Sequence, residues 1–560
     1  GLVAAMEMLS DDDKAIRSVG SSHVLAGFGF IFSSVLTGQV AAGGTHCSPA
    51  KQRSLRDDFE SDKLFFTSEV AADGLDVMIS HVWSAGRWFK TLALLYYLNS
   101  GIALAASVAT WILGTAFAVV VWGHGDYQSL GGNSRLVMPI QWAPIAVYLV
   151  FILFGHVVCP WVNQSWWLDK FCIHQSRPDL KAHGVTSLPE VVAYAKRMVV
   201  LWDASYFTRL WCNDELATFV AAHGGAEGID FMPLWLAPWI ISSMLCDCFS
   251  ALIFGYTVIF IPMTGQWAAE HQLPPDLAIL VTFTVGISLA TGLAYAPASI
   301  GMYFCFRQKL KNHDLMVRQL SAYSLSEARC TVESDRKWVE EHVSQLFSQA
   351  DGGDPIAAFE SYMRNDIKDS LASHLGGATG LKLSHCLLAI LPALFGTAVN
   401  DLSCDCQDCH VTYKVEGASS INEWMLANTF LFAGTFLLFG PPVFCHMLKM
   451  IHWSGAFMRD GTRKDAVGLA ICLTGYFEMG FAGGFYCGLA KNAIAFPGPK
   501  WKVGLLVYMA LFAYLHYKLF WQGKAGAKAE ADSRYGFLKP ERVAMMPSQA
   551  TENSLGHEGN

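Results

Sequence analysis

Long blocks of apolar residues, nearly free of charge, constrain this chain more than any other feature of its sequence. A helix that crosses a membrane needs about 20 mostly apolar residues, because each residue rises about 1.5 Å and the hydrocarbon layer is about 30 Å thick. Of the 560 residues, 53% are hydrophobic and 15% are charged, which favours a polytopic α-helical membrane protein with about eight spanning helices. The predicted spans are residues 98–122, 137–161, 234–262, 277–306, 381–399, 424–448, 466–489 and 503–520.

A further uncharged stretch, residues 24–43, is rich in Gly and Ser and poor in Leu. This composition is compatible with an additional membrane helix and with an N-terminal segment outside the membrane. If it spans, only the extreme N-terminus changes sides.

The distribution of Lys and Arg predicts the orientation, because short cytosolic loops retain positive charge. Loop 123–136 contains only Arg135, and loop 264–275 contains neither residue type. An integral, multi-pass protein in a lipid bilayer is therefore expected, with both termini in the cytosol. The sequence does not specify which membrane. The positively charged connections are residues 87–90, 196–197, 307–311, 459–464 and 524–528.

The overall charge bears on the kind of partner. A net charge of −8, without a concentrated basic face, argues against a nucleic-acid partner. Residues 521–560 are polar and are expected to form a flexible cytosolic tail. The charged residues 307–380 are expected to form a cytosolic helical segment for interaction or regulation.

Short β-favouring runs in the remaining cytosolic sequence predict a small α/β parallel-sheet domain. Apolar strands are expected at residues 75–81, 166–175 and 198–203, with a helix beginning near Ser187. Ser187 as N-cap and Glu190 as capping-box residue mark that helix start. The domain is split into residues 70–97 and 162–233, with a transmembrane hairpin (98–161) between its halves. Functional residues of such sheets collect beyond the carboxyl ends of the strands.

Several strings in this domain resemble a Toll/interleukin-1 receptor (TIR) domain, and residues 167–175 also resemble the heterokaryon-incompatibility domain. The resemblance covers less than a fifth of the chain. It departs from the family in the inserted membrane hairpin and in a shortened C-terminal part. The TIR-like strings are residues 76–81 (Asp-Val-Met-Ile-Ser-His), 168–169 (Leu-Asp), 199–201 (Val-Val-Leu) and 205–216 (Ser-Tyr-x-x-x-Leu-Trp-Cys-x-x-Glu-Leu).

The resemblance implies a catalytic role for Glu215. That residue matches the glutamate with which active TIR domains cleave the nicotinamide glycosidic bond of NAD, so NAD is implied as a substrate and no cofactor is expected. The alternative is an ordinary acidic residue in the first turn of a helix, where the helix dipole favours it. Self-association is also implied by the resemblance. Further residues expected in the same cleft, as binding residues or as strand-end and capping residues, are Asp76, Ser80, His81, Trp83 and Asp169.

A cysteine-rich string lies in the predicted outside loop at residues 401–422. Cys404, Cys406, Cys409 and His410 would suit a soft metal, but their spacing is not that of a standard zinc site. In an oxidising compartment a disulfide with one Cys left over is favoured, so no metal site is predicted.

Four ionisable residues fall inside the predicted spans: His156, Asp247, His385 and Glu478. They suit either an ion path or polar contacts between helices. Together these features predict a membrane-embedded signalling or sensor protein with a TIR-like domain, and the resemblance implies that this domain hydrolyses NAD. A non-catalytic TIR-like interaction module is one alternative, and a transporter or channel is the other.

Overall fold

The computed structural model describes residues 16–32, 62–71, 74–122, 134–257, 259–330, 333–348, 353–375, 377–395, 421–457, 461–496 and 498–521. Within these ranges the chain forms one small sheet and a larger set of helices. The strands are β1 (Arg17–Gly20), β2 (Glu69–Val70), β3 (Leu75–His81), β4 (Ser165–Trp167), β5 (Ala195–Trp202) and β6 (Ile229–Pro233). The helices up to β6 are α1 (Ser21–Gly29), α2 (Arg87–Trp122), α3 (Ser134–Val158), α4 (Asp169–Cys172), α5 (Pro178–Thr186), α6 (Leu188–Tyr194) and α7 (Leu210–His223).

The helices after β6 comprise long segments and a group of shorter ones between residues 334 and 389. A 3₁₀ turn, Phe30–Phe32, also follows α1, and a π-helical turn, Met363–Ile367, follows α13. These later helices are α8 (Leu236–Thr257), α9 (Phe260–Glu270), α10 (Pro275–Ala294), α11 (Ala296–Ser321), α12 (Ser334–Leu346), α13 (Pro355–Tyr362), α14 (Lys368–Leu375), α15 (Leu383–Ala389), α16 (Ile421–Phe457), α17 (Thr462–Ala495) and α18 (Pro499–Phe520).

The sheet is mixed, whereas the sequence predicts a parallel one. Its strand order is β2-β1-β4-β3-β5-β6. Strands β4, β3, β5 and β6 are parallel, in the order of doubly wound α/β sheets. Strands β1 and β2 extend the β4 edge in antiparallel pairing, so the segment before residue 70 contributes to the sheet as well.

The local predictions differ from the structure in two places. The strand expected at 166–175 ends at Trp167, after which the chain turns into α4. The predicted capping role of Ser187 is wrong, because its backbone is helical and its hydroxyl donates to the Gly184 carbonyl instead of capping α6. Helix α5 ends at Thr186, immediately before α6, so Ser187 lies between two helices.

One hydrophobic core holds the sheet together with helices from the segment 307–380. Strands β3 and β5 are almost completely buried, which explains their continuous apolar runs. Leu320, Val343 and Phe359 belong to the same core as the strands. We use the term sheet domain for the sheet and the helices that share this core. The predicted interaction segment is thus a structural part of the sheet domain.

Two helices continue from the sheet domain into the apolar helical bundle. The beginning of α2 packs Ala93 and Leu94 into the core of the sheet domain, and Trp111 further along packs into the bundle. Helix α11 runs the opposite way, from Met302 in the bundle to Leu320 in the sheet domain. Each helix has a continuous backbone hydrogen-bond ladder, so the two cores are joined without a flexible linker.

Six helices in the described part of the chain are long and apolar enough to cross a membrane, by length and composition. The predicted span 137–161 coincides with α3, of which Trp142–Val158 counts as a shorter apolar helix. The span predicted at 277–306 divides at Tyr295 into α10 and α11. In the span predicted at 381–399 the described residues end at 395, and they form the short helix α15, a turn at residue 390 and the helical residues 391–395. The six are Arg87–Phe117, Leu236–Glu270, Pro275–Ala294, Ala433–Gly455, Thr462–Ala495 and Pro499–Phe520.

The possible ninth span is described only in its first part. Residues 24–32 pack against α2, where Arg87 donates to the Phe28 carbonyl at 3.1 Å. Thr91 donates to the same carbonyl at 3.2 Å. The remainder of that stretch and the loop with Cys404, Cys406 and Cys409 lie outside the described residues.

The ionisable residues of the predicted spans contact neighbouring helices and are not gathered at one place. His156 Nδ1 lies 3.0 Å from the Asn99 amide nitrogen. Asp247 accepts a hydrogen bond from the Ala393 N–H at 3.0 Å. Glu478 pairs with His446 at 2.8 Å. His385 packs beside aromatic rings from α2 and α8, so these four residues act as separate contacts between helices.

Candidate functional site

The candidate site lies at the carboxyl ends of β3 and β5. These strands are neighbours, and their last paired residues include Ser80 with Val200 and His81 with Leu201. After β3 the chain forms β4 on one side of β3, and after β4 it forms β5 on the other side of β3. A crevice forms where strand order reverses in this way, and ligands of doubly wound sheets bind there.

Glu215 reaches from α7 to the end of β3. Its carboxyl group accepts a hydrogen bond from the Ser80 hydroxyl, and Ser80 Oγ lies 2.6 Å from the Tyr206 hydroxyl oxygen. Tyr206 is fully buried in the turn that precedes α7. The three side chains form one hydrogen-bonded chain across the two strand ends.

The predicted place of Glu215 at a helix start is wrong. Helix α7 begins at Leu210 and has no acidic residue in its first turn, so Glu215 lies in the second turn. The dipole of the helix acts mainly on groups in its first turn. The contact with Ser80, not the helix dipole, accounts for the position of this carboxyl group.

Burial raises the pKa of Glu215 to about 8. The Ser80 hydrogen bond opposes this shift, and the charges of Asp169 and Asp214 add to it. The side chain is half-buried, so solvent reaches it in part. In this state the carboxyl group is mostly protonated at neutral pH and ionises in weakly alkaline solution.

Asp169 and Trp83 form a second contact in the cleft. The Trp83 indole N–H donates to Asp169 Oδ2, and Asp169 Oδ1 accepts the Lys170 N–H at 2.8 Å. Burial raises the pKa of Asp169, while these hydrogen bonds and the charge of Lys170 oppose the shift. Trp83 and Asp169 are both half-buried, so solvent reaches both in part.

His81 lies beneath the cleft. It is 8% exposed, and its ring meets the Phe32 ring edge-on, with centroids 5.6 Å apart. Its Nε2 has no hydrogen-bond partner in the structure. Burial and the charges of Lys90 and Lys170 hold the pKa of His81 well below its ordinary value, so the imidazole is neutral at physiological pH.

Asp76 lies outside this site, at the opposite end of β3. Its carboxylate accepts hydrogen bonds from Lys196 at 2.9 Å and from the Ser165 N–H at 3.0 Å. These bonds outweigh the effect of burial and lower the pKa of Asp76. The prediction that Asp76 shares a cleft with Ser80 is therefore wrong, because seven residues of extended strand separate the two ends of β3.

Four further residues complete the site without having been predicted for it: Phe32, Lys90, Lys170 and Tyr206. The sequence marks Lys90 only as a cytosolic charge, and Lys170 and Tyr206 only as parts of motifs. Lys90 is 1% exposed and Lys170 is 4% exposed. The only signal in the sequence for the two lysines is that each lies among apolar residues.

The site combines two carboxyl groups, two hydroxyl groups and an indole ring at the carboxyl ends of the strands. A buried carboxylate stabilises positive charge that develops on a neighbouring ligand. The described residues contain no group of three or more His, Cys, Asp or Glu side chains that could hold a metal ion. Comparisons with protein-family models, curated proteins and solved structures find no match for this chain.

Proposed function

We propose that this chain is a multi-pass membrane protein whose sheet domain is TIR-like and cleaves the nicotinamide glycosidic bond of NAD to generate a signal. One observation carries the proposal. Glu215 crosses from α7 to the switch point between β3 and β5, where its carboxyl group meets the Ser80 hydroxyl. This is the residue that the TIR-like string at 205–216 marks as catalytic.

The reaction requires that positive charge on the ribose be stabilised. The bond between the ribose carbon and the nicotinamide nitrogen breaks, and its electron pair leaves with neutral nicotinamide. A water oxygen then bonds to the ribose carbon and loses a proton to solvent, which leaves ADP-ribose. The ionised carboxylate of Glu215 faces the oxocarbenium-like charge that develops between these two events.

The hydrogen-bonded chain from Tyr206 favours the ionised form of Glu215. Ser80 gives its single hydroxyl hydrogen to Glu215, so the Tyr206 hydroxyl donates to Ser80. The cationic nicotinamide ring of a bound substrate lowers the cost of ionising a nearby carboxyl group. Substrate binding and ionisation of Glu215 therefore support each other.

The bilayer is the proposed setting of this chemistry. Six helices meet the length and apolar composition of membrane spans, and about eight spans with both termini in the cytosol agree with the positive charges of the loops. The sheet domain then lies on the cytosolic side. Helices α2 and α11 join the two cores, so movement in the bundle reaches the cleft through continuous helices.

The proposal is tested by nicotinamide release. The purified protein, reconstituted at high density so that TIR-like domains can self-associate, is incubated with NAD. We expect Glu215→Gln to slow the release by about 100-fold or more, because it removes the charge and keeps the size. Glu190→Gln is the matched control, since Glu190 is exposed in α6, and should leave release unchanged.

The outcome separates the alternative functions. No release from the wild-type protein, or equal release from the wild type and Glu215→Gln, contradicts the enzymatic proposal. A TIR-like module that binds and self-associates without catalysis would then describe the sheet domain better. Solute or ion flux into liposomes tests the transporter or channel alternative independently of NAD.

A further inference from the structure

Two buried lysines lie near each other and near Asp169, whose charge also acts on Glu215. Lys90 enters from the first turn of α2, and Lys170 enters from α4 next to Asp169. Lys90 Nζ donates to the Trp83 carbonyl at 3.3 Å, and Lys170 Nζ donates to the Ile31 carbonyl at 2.9 Å. An ammonium group has three donors, so each lysine keeps donors that these carbonyl groups do not use.

Neither ammonium group is paired with a carboxylate within 4.0 Å in the described structure. The ion pairs of the sheet domain lie elsewhere, as in Lys196 with Asp76. Asp169 and Asp203 are the carboxylates near Lys90. The two oxygens of Asp169 accept from the Trp83 indole and the Lys170 N–H, and Asp203 accepts from Ser205. Burial lowers the pKa of Lys170. A buried ammonium without an ionic partner is costly, and an anionic ligand would relieve that cost.

A short N-terminal segment covers both lysines. This segment is the 3₁₀ turn Phe30–Phe32, named here the strap. The Ile31 carbonyl oxygen contacts Lys170, and the Phe32 ring centroid lies 5.5 Å from Lys90 Nζ. The Phe32 ring also covers His81. A carbonyl oxygen and an aromatic face are weak counterparts for an ammonium group compared with a phosphate oxygen.

We infer that Lys90 and Lys170 form the subsite for the phosphate groups of the dinucleotide substrate, and that the strap covers this subsite until the ligand displaces it. The inference rests on the proposed function and adds to it the residues that bind the anionic part of the substrate. A pyrophosphate supplies several negatively charged oxygens, which match the unused ammonium donors. Because α2 continues into the bundle, a phospholipid headgroup has the same chemistry and must be separated by experiment.

Binding of inorganic pyrophosphate to the full chain in phosphatidylcholine nanodiscs tests the inference by calorimetry. We expect binding to the wild type and to Glu215→Gln alike, and about 10-fold or greater weakening in Lys170→Met. Phe32→Ala should tighten binding several-fold. Removal of the ring uncovers part of the subsite and raises the population of the state that can bind pyrophosphate. Lys196→Met is the matched control, since Lys196 is exposed at the opposite end of the sheet, and should bind as the wild type does.

Each outcome has a defined reading. Lys170→Arg keeps the charge and should retain binding, which separates loss of the subsite from misfolding of Lys170→Met. Absence of binding to both the wild type and Phe32→Ala, or equal binding to Lys170→Met, overturns the inference. Loss of pyrophosphate binding when phosphatidylserine is added to the discs would assign the subsite to a lipid headgroup and overturn the dinucleotide assignment. Pyrophosphate binding without nicotinamide release would contradict the enzymatic proposal and leave the phosphate subsite standing.

Discussion

The sheet domain and the helical bundle are held together by different kinds of contact. The core of the sheet domain is filled by large side chains that are almost inaccessible, such as Trp166, Tyr206 and Phe359. An extensive helix contact in the described part of the bundle, between α10 and α17, depends instead on glycines. A Cβ atom added at Gly484 would lie 2.4 Å from the Phe283 carbonyl oxygen, so the two backbones touch directly.

This difference is the one expected of the proposed setting, in which the sheet domain faces water and the bundle faces lipid. In water, burial of apolar side chains is itself stabilising. Lipid tails are as apolar as leucine, so helices in a membrane gain by close backbone approach at small residues. Leu506 is 66% exposed and Val507 is 64% exposed on α18. Such side chains are stable facing lipid and would be unfavourable as a continuous patch in water.

The largest effect is expected from Phe359→Ala in the sheet domain. Phe359 lies between the rings of Tyr323 and Phe347, and its truncation should lower the free energy of unfolding by about 3–5 kcal/mol. Hydrogen exchange of the β5 amides during urea titration measures the loss. Phe66→Ala is the control, because Phe66 is 71% exposed. Unchanged exchange in β5 would mean that α13 does not stabilise the sheet.

In the bundle the corresponding experiment adds a side chain. Gly484→Leu places atoms where the α10 backbone lies, so we expect the α10–α17 contact to separate at a cost of about 3 kcal/mol. The melting temperature in detergent, followed by size-exclusion chromatography, reports this loss. Gly255→Leu is the control, since a Cβ atom there meets nothing within 4 Å. Equal melting of the two variants would contradict packing through glycine.

A feature of the fold was predictable from the sequence where it depends on residues that are close together in the chain. A continuous apolar run predicts a strand at 75–81, and β3 covers the same residues. The length and composition of apolar blocks likewise predict long helices. Strand β1, Arg17–Gly20, is short and polar, so no local pattern marks it. The sequence predicts that the charged residues 307–380 are helical, but it cannot show that they pack against the sheet.

In the candidate site, too, features that depend on nearby residues were predictable and contacts between distant segments were not. The string at 205–216 marks Glu215 because its spacing is local, and resemblance supplies its role. The meeting of Phe32, Lys90 and Lys170 depends on three elements that are distant in the chain. Their contacts arise only when the sheet is assembled. Tertiary contacts of this kind leave no periodic signal in one sequence.

Glu215→Gln gives a smaller, pH-dependent effect that belongs to the sheet domain alone. The folded pKa of about 8 exceeds the ordinary value of 4.5, so the unfolded chain ionises first as pH rises. Wild-type stability should therefore fall relative to Glu215→Gln from about pH 5 to pH 8. We expect a difference on the order of 2 kcal/mol at pH 9, reduced by partial solvent access. Thermal unfolding across this pH range measures it, and Glu190→Gln should show no such trend.

The smallest effect concerns the polar chain that the sheet domain places at its strand ends. Ser80 donates to Glu215 and lowers its pKa, so Ser80→Ala should raise that pKa further, by about one unit. In the Ser80→Ala background, the loss of stability relative to the variant that also carries Glu215→Gln should therefore continue to a higher pH, because the loss ends only when the pH passes the folded pKa. A double-mutant cycle between Ser80→Ala and Glu215→Gln, measured at pH 6 and at pH 9, isolates this coupling because only the ionised carboxylate needs the hydroxyl donor. Ser84→Ala is the control, since Ser84 is exposed in the same loop. A coupling energy that is the same at both pH values would show that Ser80 fills space beside Glu215 without favouring its charge.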